Sequence, residues 1–178
     1  FIREIGTELY HQMLEEEILF QKQKISNNNS VKKLFQPIIK IPEEIFIPDD
    51  YIDDLDLRLS IYKRISNVNN EDELSNIIIE LRDRFGSIPN QLTNLFSLIE
   101  IKILCIEYNV DKFEFSRKGI VIGFYKNKPK NPQKLLDLST NKHSQFTLRP
   151  DQKIFYDFMG QLITNRFKLS KKILEQIK

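Results

Sequence analysis

The spacing of apolar residues along the chain divides it into a helical part and a strand-rich part. Ile5, Leu9, Tyr10, Met13, Leu14 and Ile18 recur at steps of four, three and one, which predicts an amphipathic helix over residues 5–25. Asn27, Asn28, Asn29 and Ser30 end it as a polar loop. The short run Ile38-Ile39-Lys40-Ile41 lies between Pro37 and Pro42 and is expected at a sheet edge, because proline cannot donate to a ladder. Two amphipathic helices follow. The first covers residues 53–68, with Leu55, Leu59, Tyr62 and Ile65 on one face. The second opens at Asn70, with Glu73 three residues on as a variant capping box, and runs to Phe85. Gly86 is expected to close it in a left-handed conformation, and Pro89 prevents resumption. A third helix, residues 90–108, is apolar nearly all round and so is expected at a buried centre.

After Asn109 the period changes to two. Phe113 and Phe115 alternate with charge, Arg117-Lys118-Gly119 turns, and Ile120 to Phe124 returns as a hairpin. A short helix is predicted within 129–139, then a second hairpin over 145–148 and 153–158 turning at Arg149-Pro150-Asp151. A last helix is expected over 160–178. The fold class is therefore α+β: a helical N-terminal half on a small antiparallel meander, with a C-terminal helix. The expected core comprises Leu59, Tyr62, Ile65, Leu81, Phe85, Leu95, Ile99 and Ile103.

The length of 178 residues suits one ordinary domain or two small ones, large enough to bury a core without staples. Lysine plus arginine number 27 and aspartate plus glutamate 25, so the net charge of +2 argues against a dedicated nucleic-acid binder. One cysteine, Cys105, excludes an intrachain disulfide and a Cys-rich zinc site. No apolar run is long enough to cross a bilayer, and no signal-peptide pattern opens the chain, so a cytoplasmic setting is expected. The first residue is Phe1 rather than methionine, which suggests a part of something longer.

Catalytic chemistry is hard to assemble from these residues. Five glycines form neither phosphate-cradling pattern, so no ATP-binding loop is expected. His11 and His143 fall in different elements without partner spacing, and Cys105 falls within the apolar helix as a structural thiol. We therefore expect no catalytic residue, no bound metal and no cofactor.

Charge is instead sorted into blocks. Residues 42–56 carry Glu43, Glu44, Asp49, Asp50, Asp53, Asp54 and Asp56 without a base. Residues 112–134 carry Lys112, Arg117, Lys118, Lys126, Lys128, Lys130 and Lys134 against Glu114 alone. Each block reads either as a solvated face or as a contact surface, an acidic docking face in one case and a possible nucleic-acid contact in the other. The final helix adds Arg166, Lys168, Lys171, Lys172 and Lys178 against Glu175. Glu80, Asp83 and Arg84 stand at i, i+3 and i+4 on one polar helix face, opposite Ile78 and Phe85. That spacing fits an intrahelical Glu80–Arg84 pair, worth about 0.3–0.5 kcal/mol, or a contact face whose fixed charges set register.

Two blocks carry a resemblance. Arg58-Leu59-Ser60-Ile61-Tyr62-Lys63-Arg64-Ile65 and Glu80-Leu81-Arg82-Asp83-Arg84-Phe85-Gly86-Ser87-Ile88-Pro89 closely resemble the C-terminal domain of the bacterial transcription-repair coupling factors, the Mfd family. Ile47-Pro48-Asp49-Asp50-Tyr51-Ile52 and Ile2-Arg3-Glu4-Ile5-Gly6-Thr7-Glu8-Leu9-Tyr10 are similar to flanking segments of that family. Thr7 and Arg82 depart from its usual residues. The resemblance implies that residues 1–30 link from a motor region and that 31–178 form a non-catalytic regulatory domain. It further implies a parent protein that translocates on double-stranded DNA with ATP and magnesium, displaces stalled RNA polymerase and recruits the excision-repair protein UvrA. In the family this domain docks on the N-terminal UvrA-binding module and masks it, and Glu80, Asp83 and Arg84 match the contacting positions. An accessory DNA-contacting domain using the basic segments is the alternative.

Overall fold

The computed structural model describes residues 35–178. The expected helix over 5–25, the asparagine-rich loop and His11 lie outside the described residues. The described chain forms five helices and a five-stranded sheet: β1 (Ile38–Lys40), α1 (Leu55–Ser66), α2 (Glu71–Phe85), α3 (Asn90–Glu107), β2 (Val110–Phe115), β3 (Gly119–Phe124), α4 (Pro132–Thr140), β4 (Phe146–Leu148), β5 (Ile154–Asp157) and α5 (Arg166–Ile177). It divides into two compact units, one containing residues 43–100 and the other residues 35–42 with 101–178; the division falls within α3.

In the first unit Asn70 caps its helix where the sequence places it, whereas α1 begins at Leu55, two residues after the expected start. The Asp54 carboxylate accepts the Leu57 amide N–H at 2.8 Å and so opens α1. The Asn70 side chain accepts the Glu73 amide at 2.9 Å and opens α2. The Glu73 carboxylate reaches back to the Asn69 amide N–H and the Asn70 side-chain amide, each at 2.9 Å, one residue earlier than a standard capping box. Gly86 ends α2 at φ 86°, ψ −154°. That is not the left-handed helical well expected from the sequence, but an extended positive-φ region that only glycine enters freely. The Tyr51 hydroxyl spans the same end, 3.0 Å from the Leu81 carbonyl and 3.1 Å from that of Gly86.

The first unit's core differs from expectation at two positions. Tyr62, Ile65, Leu81, Leu95 and Ile99 are buried as expected, but Leu59 and Phe85 are only half-buried, and Ile61 takes the central place on α1. The Tyr62 hydroxyl accepts the buried Ile47 amide, and the Asn94 side-chain amide donates to the Glu44 carbonyl at 2.9 Å. These two bonds tie the irregular acidic segment to helices. Arg58 binds it too, donating to the carbonyls of Ile52 at 2.6 Å and Asp53 at 3.0 Å.

In the second unit the strands run in the order β1-β2-β3-β5-β4. β1 occupies an edge, as its flanking prolines require, and pairs parallel with β2 in the register Ile38 to Lys112. The other pairs are antiparallel. The expected meander is therefore modified: α4 carries the chain from β3 to the far edge, and β5 returns between β4 and β3. At the β2–β3 turn the Ser116 amide donates to the Gly119 carbonyl at 2.7 Å. Gly119 is required for close approach, because a Cβ there would fall on the Tyr156 carbonyl oxygen and the Phe155 ring. Within α3, Ile101 and Cys105 are fully buried whereas Ile103 is not. Burial pushes the Cys105 thiol well above its ordinary pKa, as expected of a structural cysteine. The final helix starts at Arg166, six residues later than expected, where the Asn165 side chain accepts the Lys168 amide at 2.9 Å.

Candidate functional site

Glu80 is the centre of the most organised polar feature of the first unit. It faces outward from α2, so its carboxylate is reachable from the neighbouring helix as well as from its own. Arg64 of α1 grips it with both ends of the guanidinium fork, Nη1 to Oε1 at 2.9 Å and Nη2 to Oε2 at 2.6 Å. Arg84, one turn along α2, donates to Oε1 at 2.9 Å. The expected intrahelical Glu80–Arg84 pair is therefore present, joined by an interhelical one. The side chains remain open to solvent, at 43% exposure for Arg64, 34% for Glu80 and 47% for Arg84. The Arg64 bonds first, and then Arg84, hold the Glu80 carboxyl down at a pKa of about 2. The Arg84 guanidinium also lies 5.0 Å from the centre of the Phe85 ring.

Asp83 is exposed on the same helix and joins no ion pair among the described residues. One turn before it, Ile79 is 55% exposed. The surface thus presents an apolar patch, an unneutralised carboxylate, and a two-arginine, one-glutamate cluster. Arg64 and Ile79 were not singled out by sequence reasoning. Arg64 lies sixteen residues from Glu80 on another helix, beyond any single-helix spacing rule. Ile79 could have been found, since it falls off the stripe that buries Leu74, Ile77 and Leu81. Beside the cluster a groove of about 530 Å³ runs between α1 and α2, lined by Ser60, Lys63, Arg64, Asn67, Glu73 and Asn76 among others.

The basic residues of the second unit do not converge. Arg117 and Lys118 are exposed in the β2–β3 turn, while Lys126, Lys128 and Lys130 follow the far end of β3. A six-residue strand separates the two groups, about 20 Å at ~3.3 Å per residue. Lys112 lies half-buried within β2, 3.5 Å from Glu114. The loop after β3 is nevertheless built with care: Lys126 and Asn127 both have positive φ, and the Asn109 side chain donates to the Lys128 carbonyl at 2.5 Å. The Tyr125 ring stacks on Phe35 at 4.7 Å. Among the described residues no group of three or more His, Cys, Asp or Glu side chains could hold a metal, and no helix is long and apolar enough to cross a membrane.

Fold and site together define an α+β domain whose best-ordered polar feature is an open, charged helical face. The chain belongs to the TRCF domain family, whose sequence model matches residues 41–135, more than half of it. It is 38% identical over 156 residues to the transcription-repair-coupling factor of Rickettsia conorii, covering 87% of this chain and 14% of that protein. It is 32% identical over 146 residues to that of Escherichia coli, covering 81% of this chain and 12% of the relative. The chain thus spans about a seventh of the length of these bacterial relatives. A crystal structure of the C-terminal domain of transcription-repair coupling factor shares the fold, with a TM-score of 0.65 and 18% identity over 80% of this chain and 92% of that one.

Proposed function

We propose that this chain acts as the regulatory, non-catalytic C-terminal domain of a bacterial transcription-repair coupling factor. In this reading the α2 face bearing Glu80, Asp83 and Arg84 docks on the N-terminal UvrA-binding module of the same protein. Docking masks that module until the ATP-driven, magnesium-dependent motor engages RNA polymerase stalled on damaged double-stranded DNA in the cytoplasm. ATP and magnesium belong to the motor; this domain takes no cofactor.

The observation that carries the reading is the ordered charge cluster on an open helical face within the family-matched segment. Mixed charge suits a reversible mask, because opening leaves no large apolar patch in water. Each contact can be weak, since a partner in the same chain is present at high effective concentration. Asp83, without an ion-pair partner among the described residues, is open to a base, and Arg84, which commits only Nη1 to Glu80, keeps donors for acceptors on the module. The alternative, a DNA-contacting role, would draw on Lys112, Arg117, Lys118, Lys126, Lys128 and Lys130, which occupy separate parts of the sheet rather than one patch.

The test is charge reversal in the full-length protein. Glu80→Lys, Asp83→Lys and Arg84→Glu together should raise UvrA affinity without loss of folded structure. Wild-type UvrA affinity in a folded triple variant would refute the masking role.

A further inference from the structure

Arg64 stands on α1, one helix away from the residues assigned to docking, yet it approaches Glu80 more closely than Arg84 does, 2.6 Å against 2.9 Å. Its two terminal nitrogens take one glutamate oxygen each. A planar fork on a planar carboxylate fixes the distance and the orientation of the acceptor, which a single bond does not. Arg84 makes a single bond, to the same Oε1 that Arg64 Nη1 holds. Glu80 thus stands between the two arginines, held by two bonds from α1 and one from its own helix. Glu80, on an outward-facing helix and one-third exposed, would otherwise sample several rotamers.

We propose that Arg64 is a positioning residue of the docking surface, ordering the Glu80 carboxylate and through it the Arg84 guanidinium without itself touching the partner module. The inference rests on the docking role proposed above. It extends that surface from one helix to two and makes the α1–α2 pairing part of the recognition geometry. Both Nη atoms of Arg64 are committed to Glu80, whereas Arg84 commits only Nη1 and Asp83 joins no ion pair among the described residues.

The experiment is a double-mutant cycle in the full-length coupling factor, read as affinity for UvrA. Four proteins are compared: wild type, Arg64→Ala, Glu80→Ala and the double variant. Both single variants should raise UvrA affinity, by roughly 5-fold or more, the usual floor for coupling between sites. The double variant should bind no more tightly than Glu80→Ala. Arg64→Lys should fall between wild type and Arg64→Ala, because an ammonium cannot span both oxygens. Thermal melting verifies folding, and should Arg64→Ala melt early, Arg64→Lys carries the same comparison. If Glu80→Ala unmasks UvrA binding and the Arg64 variants do not, the positioning role is overturned and docking stands. If loss of Arg64 adds to loss of Glu80, Arg64 touches the module directly, which also overturns it. If Glu80→Ala itself changes nothing, the docking reading fails first and the role of Arg64 falls with it.

Discussion

The Tyr62 phenolic oxygen lies 2.6 Å from the Ile47 amide nitrogen and accepts a hydrogen bond from its N–H, fifteen residues away in sequence and inside the first unit. Ile47 and Tyr62 are 4% and 3% exposed, so water cannot replace the bond. Burial, the largest influence on that phenol, pushes its pKa up, and the Ile47 bond opposes the shift. Tyr62→Phe keeps the ring and its packing but leaves a buried amide unsatisfied. The expected cost is about 1–3 kcal/mol, read as a lower urea midpoint with an unchanged slope.

Acid should weaken the α1–α2 pairing through Glu80. Folding holds its pKa at about 2 against an ordinary 4.5, so the stabilisation is complete above about pH 4.5 and is lost as pH falls towards 2. The charges are partly exposed and screened, which limits each pair to roughly 0.2–1 kcal/mol. Glu80→Gln should therefore be slightly less stable at neutral pH and lose less on acidification. Parallel melts of both proteins across that range check the sign; equal losses would show that Glu80 makes no such contribution.

The two apolar residues of α1 that compete for the core can be ranked by truncation. Ile61 is 1% exposed and Leu59 half-buried. Ile61→Ala should cost about 2–5 kcal/mol, and Leu59→Ala distinctly less, by chemical denaturation. The reverse order would restore the face expected from periodicity.

Those residues also show what could be read in advance. The Asn70 cap was legible because it is local, acting on an amide three residues away; Asp54 acts over the same distance, but it lay within the expected helix rather than before it. The turns at Ser116–Gly119 and Arg149–Gln152 were legible for the same reason. In α3 the apolar residues surround the helix, so no stripe distinguishes buried Ile101 and Cys105 from half-buried Ile103. The place of β5 between β3 and β4 depends on non-local pairing, to which a period of two is blind. At the candidate site, the Glu80–Arg84 pair followed from helical spacing, whereas Arg64 required the packing of two helices.

Gly119 offers a test of the sheet. Gly119→Ala would press a methyl group on the Tyr156 carbonyl and the Phe155 ring, forcing β3 and β5 apart where they pair. A loss of about 1–3 kcal/mol is expected, typical of overpacking. The Phe158 amide, which donates to the Lys118 carbonyl at 2.9 Å beside that contact, should exchange with solvent faster. Unchanged exchange would show that the strands accommodate a methyl group.

The parallel pairing of β1 with β2 has a kinetic consequence. Ile38 meets Lys112, so closing this one strand pair encloses about 70 residues, including all of α1, α2 and α3. The intervening segment can form its own local helices before the ladder closes. The short β1, by contrast, must wait on the ribosome until β2 has been synthesised and released, some seventy codons later. β1, the first of the described strands to be made, is thus seated only after the three helices that follow it have been made, and its pairing with β2 reports that they have already been delivered.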